Sequence, residues 1–245
     1  MGKVIIMDDT SKEPLSIIGK SAGICWESDI TSDYKNIKRA IGCINSGHGR
    51  VEEFPIIHLV LDGYSAKVIR EWYTHVGGLP TRLQSSTRYV DASGFKYVTP
   101  HTIKRNLKAL KVYNKTMAAI NKGYAKLLKL DIPKEDASFL LPFGMETKIV
   151  DQRNMRNFID MCHQRLCARA LWEYRELMHD IKTTLSEYSP QWKIIADALF
   201  VPKCELVGFC TEEKSCGRLP VNRDRSVGIH LSNNALRERL NLWDL

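Results

Sequence analysis

Apolar residues recur at helical spacing over two long stretches of the chain. Ile103, Leu107, Leu110, Tyr113, Met117, Ile120, Tyr124 and Leu127 follow one another by three or four residues. This predicts one amphipathic helix, opened by Pro100. Phe158, Cys162, Leu166, Ala170, Tyr174, Leu177, Ile181 and Leu185 keep the same period. They predict the longest helix, opened by Asn154 and unbroken for about nine turns. Pro190 opens one more helix, to about Leu199.

The remaining segments are shorter. Lys3–Met7 reads as a strand, and 16–26, small and apolar, as a strand-to-turn entry. Asp33 caps a helix over 34–46, ended by Gly47. Pro55–Leu61 is a buried strand turned by Asp62-Gly63. Ser65 caps a helix to about Val76, and Gly77-Gly78-Leu79-Pro80 stops it. Thr81–Tyr89 is then a polar loop, 88–98 a strand, 134–140 a short helix and 145–151 a strand. Long helices around a small mixed or antiparallel sheet make an α+β fold rather than alternating βαβ. No linker interrupts the 245 residues. The expected organisation is a single catalytic domain over 1–200 and a cysteine-containing tail over 201–245.

Charge changes one part of this picture. The excess of 36 bases over 28 acids equals the eight Lys and Arg of 101–130, a segment without an acid. That segment is one solvated helix face or a basic wall beside small anions. A nucleic-acid binder would spread its cations over a groove-facing motif, so no nucleic acid is expected. No apolar run approaches the roughly 20 residues of a membrane span, so no membrane is expected. Seven scattered cysteines and no signal-like N-terminus point to free thiols and a cytoplasmic location. Cys204, Cys210 and Cys216 are evenly spaced, whereas zinc usually takes Cys pairs two to four residues apart. Free or buried thiols are the first reading there and a metal site the second.

Candidate chemistry sits in two places. The loop Thr81–Tyr89 gathers hydroxyls, an amide and two guanidinium groups after a Gly/Pro turn. It is either an oxyanion site or an ordinary polar loop. The 154–185 helix carries Arg156 and Asp160 about 40° apart, with Arg165, Arg169, Trp172, Glu173 and Glu176 clustered on another face. Arg156 and Arg165 point about 180° apart and would serve different pockets. Arg169 and Glu173 have the spacing of an ion pair. His58, inside an apolar strand, reads as a satisfied core histidine or one that supports a neighbouring site residue. No Rossmann fingerprint, P-loop or nucleophile elbow is present.

Taken in order, Gly47-His48 with Glu53, Ile69-Arg-Glu-Trp-Tyr-Thr-His75, Gln84-Ser-Ser-Thr-Arg-Tyr89, Leu141-Pro142, Asn154-x-Arg156, Arg165-Leu166 and Trp172-Glu173-x-Arg175-Glu176 resemble the flavin-dependent thymidylate synthases, the ThyX family. The resemblance covers about 20–186. It implies a homotetramer that holds FAD, oxidises NADPH, takes its carbon from methylenetetrahydrofolate and methylates dUMP at C5 to give dTMP. No enzyme cysteine has to add to the uracil. It further implies that Arg165 and Ser86 are catalytic, and that Glu71, Gln84, Ser85, Ser86, Thr87, Arg88 and Arg165 bind the nucleotide. Thr74, His75, Gln84, Asn154, Arg156 and Asp160 would contact the flavin.

Several positions depart from the family pattern. The hallmark Arg-His-Arg stands here as Thr74-His75-Val76, followed by Gly77-Gly78 as a two-residue insertion. Phe54 follows Glu53 where the family has His, and the second phosphate arginine falls near Ser138. Three functions stay open: thymidylate synthesis, C5 modification of another pyrimidine nucleotide by a flavoenzyme, and nucleotide binding without catalysis.

Overall fold

The computed structural model describes residues 2–221. Its elements are β1 (Lys3–Ile6), α1 (Pro14–Cys25), α2 (Asp33–Asn45), a 3-10 turn (Gly49–Glu53), β2 (Ile56–Ser65), α3 (Ala66–Trp72), β3 (Thr81–Gln84), α4 (His101–Lys104), α5 (Leu107–Leu128), α6 (Lys134–Ala137), a second 3-10 turn (Ser138–Leu140), β4 (Glu146–Asn154), α7 (Met155–Arg165), α8 (Trp172–Tyr188), α9 (Pro190–Leu199) and α10 (Lys203–Val207). The strands form one sheet in the order β1-β2-β4-β3. This is the expected α+β class, with an antiparallel sheet.

Several elements differ from the sequence reading for identifiable reasons. Residues 14–25 form a helix, not a strand entry, because their small residues allow close helix packing. A Cβ on Gly19 would stand 1.9 Å from the Asn36 carbonyl oxygen of α2. Ser32, not Asp33, caps α2. β2 runs straight through Asp62-Gly63, since Gly63 takes φ +79° without a Cβ clash. The strand of the loop region is Thr81–Gln84, while 88–98 is irregular apart from a bridge between Tyr97 and Met145. Asn106 interrupts the basic helix and caps α5, accepting from the Lys108 and Ala109 amides. The longest expected helix is two helices. It stops at Arg165 and restarts at Trp172, and Arg175 from α8 donates to the Ala168 and Ala170 carbonyls freed in between.

The chain divides into two compact units. One comprises Met1–Lys3, Val60–Thr74 and Arg82–Val150; the other Val4–Leu59, His75–Thr81 and Asp151–Leu245. The first is built on α3 and α5. Val68, Ile69 and Trp72 of α3 are fully buried, as are Leu61 and Tyr124, while Met117 and Ile149 are nearly so. Ser65 caps α3 through the Val68 amide, and the Ala66 and Lys67 amides reach the Met145 and Phe143 carbonyls.

The second unit packs α1 on α2 and α8 on α9. Its core includes Leu15, Ile18, Phe158, Leu177, Ile181, Trp192 and Phe200, all fully buried. Gln191 Oε1 accepts from the first amides of α1, Leu15 and Ser16, which fixes that helix end to α9. Burying seven large apolar side chains contributes on the order of 10–20 kcal/mol of gross stabilisation. This anchors α7, the helix that carries Arg156 and Arg165.

Candidate functional site

In the first unit, β3 delivers the Ser-rich loop. Ser85 donates its amide to the Lys148 carbonyl of β4, and Gln84 Nε2 donates to Thr147 Oγ1. The chain then turns on Ser86. Its hydroxyl accepts from the Arg88 amide and its carbonyl from Tyr89 and Val90. This Ser-based turn is the local reason for the bend. A cavity of about 300 Å³ lies against it, lined by Ser85, Ser86, Thr87, Asp62, Lys96 and Lys148. Arg88 points its Nε to Glu135 at 3.2 Å, with both side chains mostly exposed. Glu71 lies on α3, and Thr74 closes the helix by donating to the Glu71 carbonyl.

Lys96 and Lys148 were not singled out in the sequence. Strand alternation held the signal for the second, because the burial pattern of β4 leaves Lys148 on its open face. An ion pair to Asp62 at 2.7 Å aims the Lys148 ammonium.

In the second unit, α7 starts at Asn154, whose side chain accepts from the Asn157 amide. Beneath it lies a pair that sequence reasoning missed, the Asp151 carboxylate gripped by two nitrogens of Arg153 at 2.6 Å each. Both side chains are only 1% exposed. Arg153 also donates to Asn157 Oδ1. Over this polar floor runs Gly77-Gly78: a Cβ on Gly78 would stand 2.4 Å from Asn154 Nδ2, and one on Gly77 3.1 Å from Asn157 Nδ2. Gly78 thus covers Asn154, and Gly77 covers Asn157.

Arg156 donates to Glu53 at 2.6 Å. Both line a cavity of about 630 Å³ with Trp26, Cys43, His48 and Arg50. Beside it burial pushes the Glu52 carboxyl up to about 7, opposed by Arg156 and reinforced by Asp160. Asp160 itself is exposed on α7.

Arg165 ends α7. Its Nε donates to His75 Nε2 at 2.9 Å, and its guanidinium lies 4.8 Å from the centre of the Tyr174 ring. His75 meets the same ring edge-on at 6.2 Å. The imidazole Nε2 is thus the acceptor in this bond. Tyr174 was read only as part of an apolar stripe. The Arg169–Glu173 pair does not form: Arg169 turns to Glu212 and the Lys214 carbonyl, and Glu173 is buried. His58, expected in the core, hydrogen-bonds Asp9 and is partly exposed.

All seven cysteines are free, and no group of three or more metal-ligating side chains forms among the described residues. The Arg-containing end of the tail and His230 lie outside the described residues.

The first unit thus presents a polar, hydroxyl-rich turn, and the second holds Arg165 braced by His75 and, separately, a cavity lined by Arg50 and Arg156. The family described as thymidylate synthase complementing protein matches residues 6–191, and the chain belongs to it. A flavin-dependent thymidylate synthase of Nitratidesulfovibrio vulgaris is 28% identical over 86% of this chain and 93% of its own. That of Geobacter sulfurreducens is 28% identical over 88% and 94%. That of Pyrococcus abyssi is 29% identical over 69% and 70%.

Proposed function

We propose that the protein is a flavin-dependent thymidylate synthase. It transfers the one-carbon unit of methylenetetrahydrofolate to C5 of dUMP and oxidises NADPH. The observation that carries this reading is the bracing of Arg165 by His75 and Tyr174 in a chain that matches the family across most of its length.

The side chains fit a flavin dinucleotide. The cavity of about 630 Å³ joins cations, Arg156 and Arg50, to an aromatic, Trp26. Phosphates need the first and flat rings the second. When bound, FAD supplies the redox chemistry that carries reducing equivalents from NADPH to the transferred carbon. Arg156 holds its charge in line through Glu53, and Asn154, His75, Thr74, Gln84 and Asp160 complete the proposed flavin contacts.

On the nucleotide, Arg88 takes the phosphate by exchanging Glu135 for a charge-matched dianion. Lys148 and Lys96 add positive charge at the Ser85–Thr87 turn, and Glu71 and Gln84 contribute polar contacts. Ser86 keeps its hydroxyl proton free to donate, since its oxygen only accepts from Arg88. Arg165 stabilises uracil ionised at N3, which raises electron density at C5. A cysteine nucleophile is not called for. Burial holds the Cys43, Cys162 and Cys204 thiols above their ordinary value, hence protonated.

The exposed apolar side chains Leu107 and Val112 on α5, with Phe139 and Phe143 after it, support assembly into the homotetramer. Seven unpaired thiols suit a reducing cytoplasm, and no described helix is long and apolar enough to cross a membrane. The test is a flavin titration. The protein should turn yellow with FAD and bleach with NADPH. Protein that stays colourless in excess FAD defeats the reading.

A further inference from the structure

A second cavity in the Arg165-bearing unit shares Arg165 with the chemistry above, but its other lining residues have no part in that chemistry. It measures about 360 Å³ and lies between the 163–170 turn and residues 202–218. Five cations line it: Arg165, Arg169, Lys203, Lys214 and Arg218. One carboxylate, Glu212, faces them there. Glu212 pairs with Arg169 at 3.3 Å, and Glu205, outside the lining, stands 3.5 Å from Arg218. Lys203 and Lys214 have no carboxylate partner among the described residues. Five cations against one carboxylate among the described residues that line one concave site raise a positive potential that selects an anion.

The walls are held in place. Arg169 ties the Lys214 carbonyl at 3.1 Å, and Arg218 ties the Leu166 carbonyl at 3.4 Å. Cys167, Cys204, Cys210 and Cys216 form the uncharged part of the lining. His163 adds one more polar group. Its ring bonds the Leu199 backbone, burial keeps it neutral, and its buried Nε2 has no hydrogen-bond partner. An unpartnered buried acceptor suits a ligand that brings its own N–H or O–H along with its charge. Burial raises the Cys204 thiol above its ordinary value, and no group of three or more metal-ligating side chains forms among the described residues.

We propose that this cavity is an anion subsite that takes the charged end of a co-substrate beside Arg165. The chemistry it selects is a multivalent anion. The carboxylates of a glutamyl chain on the folate and the phosphates of the pyridine dinucleotide share that chemistry. The assignment of co-substrates rests on the function proposed above; the anion selectivity rests on the cavity.

The test is calorimetric titration of the full-length protein with γ-linked triglutamate and, separately, with adenosine 2′,5′-bisphosphate. The native protein binds one of the two, more weakly as salt rises. Lys203→Gln/Lys214→Gln weakens that binding by about ten-fold, the scale of two screened charges. Lys203→Arg/Lys214→Arg restores it, and Lys193→Gln, whose lysine pairs with Asp197 on α9, leaves it unchanged. The tighter probe identifies the source. Binding of neither probe, or equal binding by the Gln and Arg pairs, overturns the proposal. Probe binding without dTMP formation keeps the subsite and overturns the function. Formation of dTMP without probe binding does the reverse.

Discussion

Arg165 donates to His75 across 2.9 Å, and both side chains rest on Tyr174. His75 is the position that the sequence reading aligns with the histidine of the family's Arg-His-Arg. Its role here is to accept a hydrogen bond from the arginine proposed to face the uracil. His75→Ala should leave Arg165 unbraced. Losing a hydrogen bond to a charged group costs about 1.5–3 kcal/mol, so kcat/KM for dUMP should fall roughly 10–100-fold. His75→Gln, which retains an acceptor, should recover part of the loss. Equal rates for native and His75→Ala protein would remove this bond from the account.

The glycines after His75 should be unequal in their tolerance of a methyl group. Gly78 has φ +70° and would drive its Cβ into Asn154 Nδ2 at 2.4 Å. Gly78→Ala should cost about 1–2 kcal/mol from backbone conformation alone and displace Asn154 as well. Gly77→Ala meets only the end of Asn157 at 3.1 Å and should cost much less. Flavin affinity by fluorescence quenching and urea denaturation together read the contrast. Indistinguishable variants would show that the turn does not rest on Asn154.

The Asp151–Arg153 pair tests how α7 is held. Both side chains are almost fully buried, so removing one leaves the other without this buried counter-charge. Arg153→Met or Asp151→Asn alone should destabilise by about 3–5 kcal/mol. The double replacement by apolar residues should recover much of that. Denaturation midpoints of the three variants decide it, and additive losses would contradict a compensated pair.

Glu52 sets a pH dependence. Its folded value is pushed up to about 7 from 4.5, first by burial. The folded state therefore holds the proton more tightly than the unfolded chain. The stabilising effect is complete below about 4.5 and is lost as pH rises through about 7. The full span is on the order of 3 kcal/mol. Glu52→Gln should flatten the stability profile across that window and be the more stable protein at pH 8. Parallel profiles for the two proteins would place the carboxyl in water.

Periodicity made the helices legible but not their ends. The stripe from Phe158 to Leu185 has unbroken helical spacing, yet the chain leaves the helix after Arg165. Arg175, from the helix that restarts at Trp172, satisfies the carbonyls of the intervening turn. No local pattern announces such a tertiary partner. The Ser65 and Asn154 caps could be read, because a cap is a local hydrogen bond. The 14–25 helix could not, because its glycines are explained only by the neighbour they pack against. At the site, Ser86, Arg88, Arg156 and Arg165 stood out through an ordered set of motifs. Lys148, Tyr174 and the buried Asp151–Arg153 pair did not, since alternation along β4 and contact across a turn gave them their roles.

The central claim is that this chain methylates dUMP through a bound flavin. The most direct test supplies purified protein with FAD, NADPH, methylenetetrahydrofolate and dUMP and measures dTMP by chromatography. The account predicts dTMP that requires every component and is lost on Arg165→Ala. A flavin-loaded, NADPH-reducible protein that forms no dTMP, or that modifies another pyrimidine nucleotide instead, would contradict it.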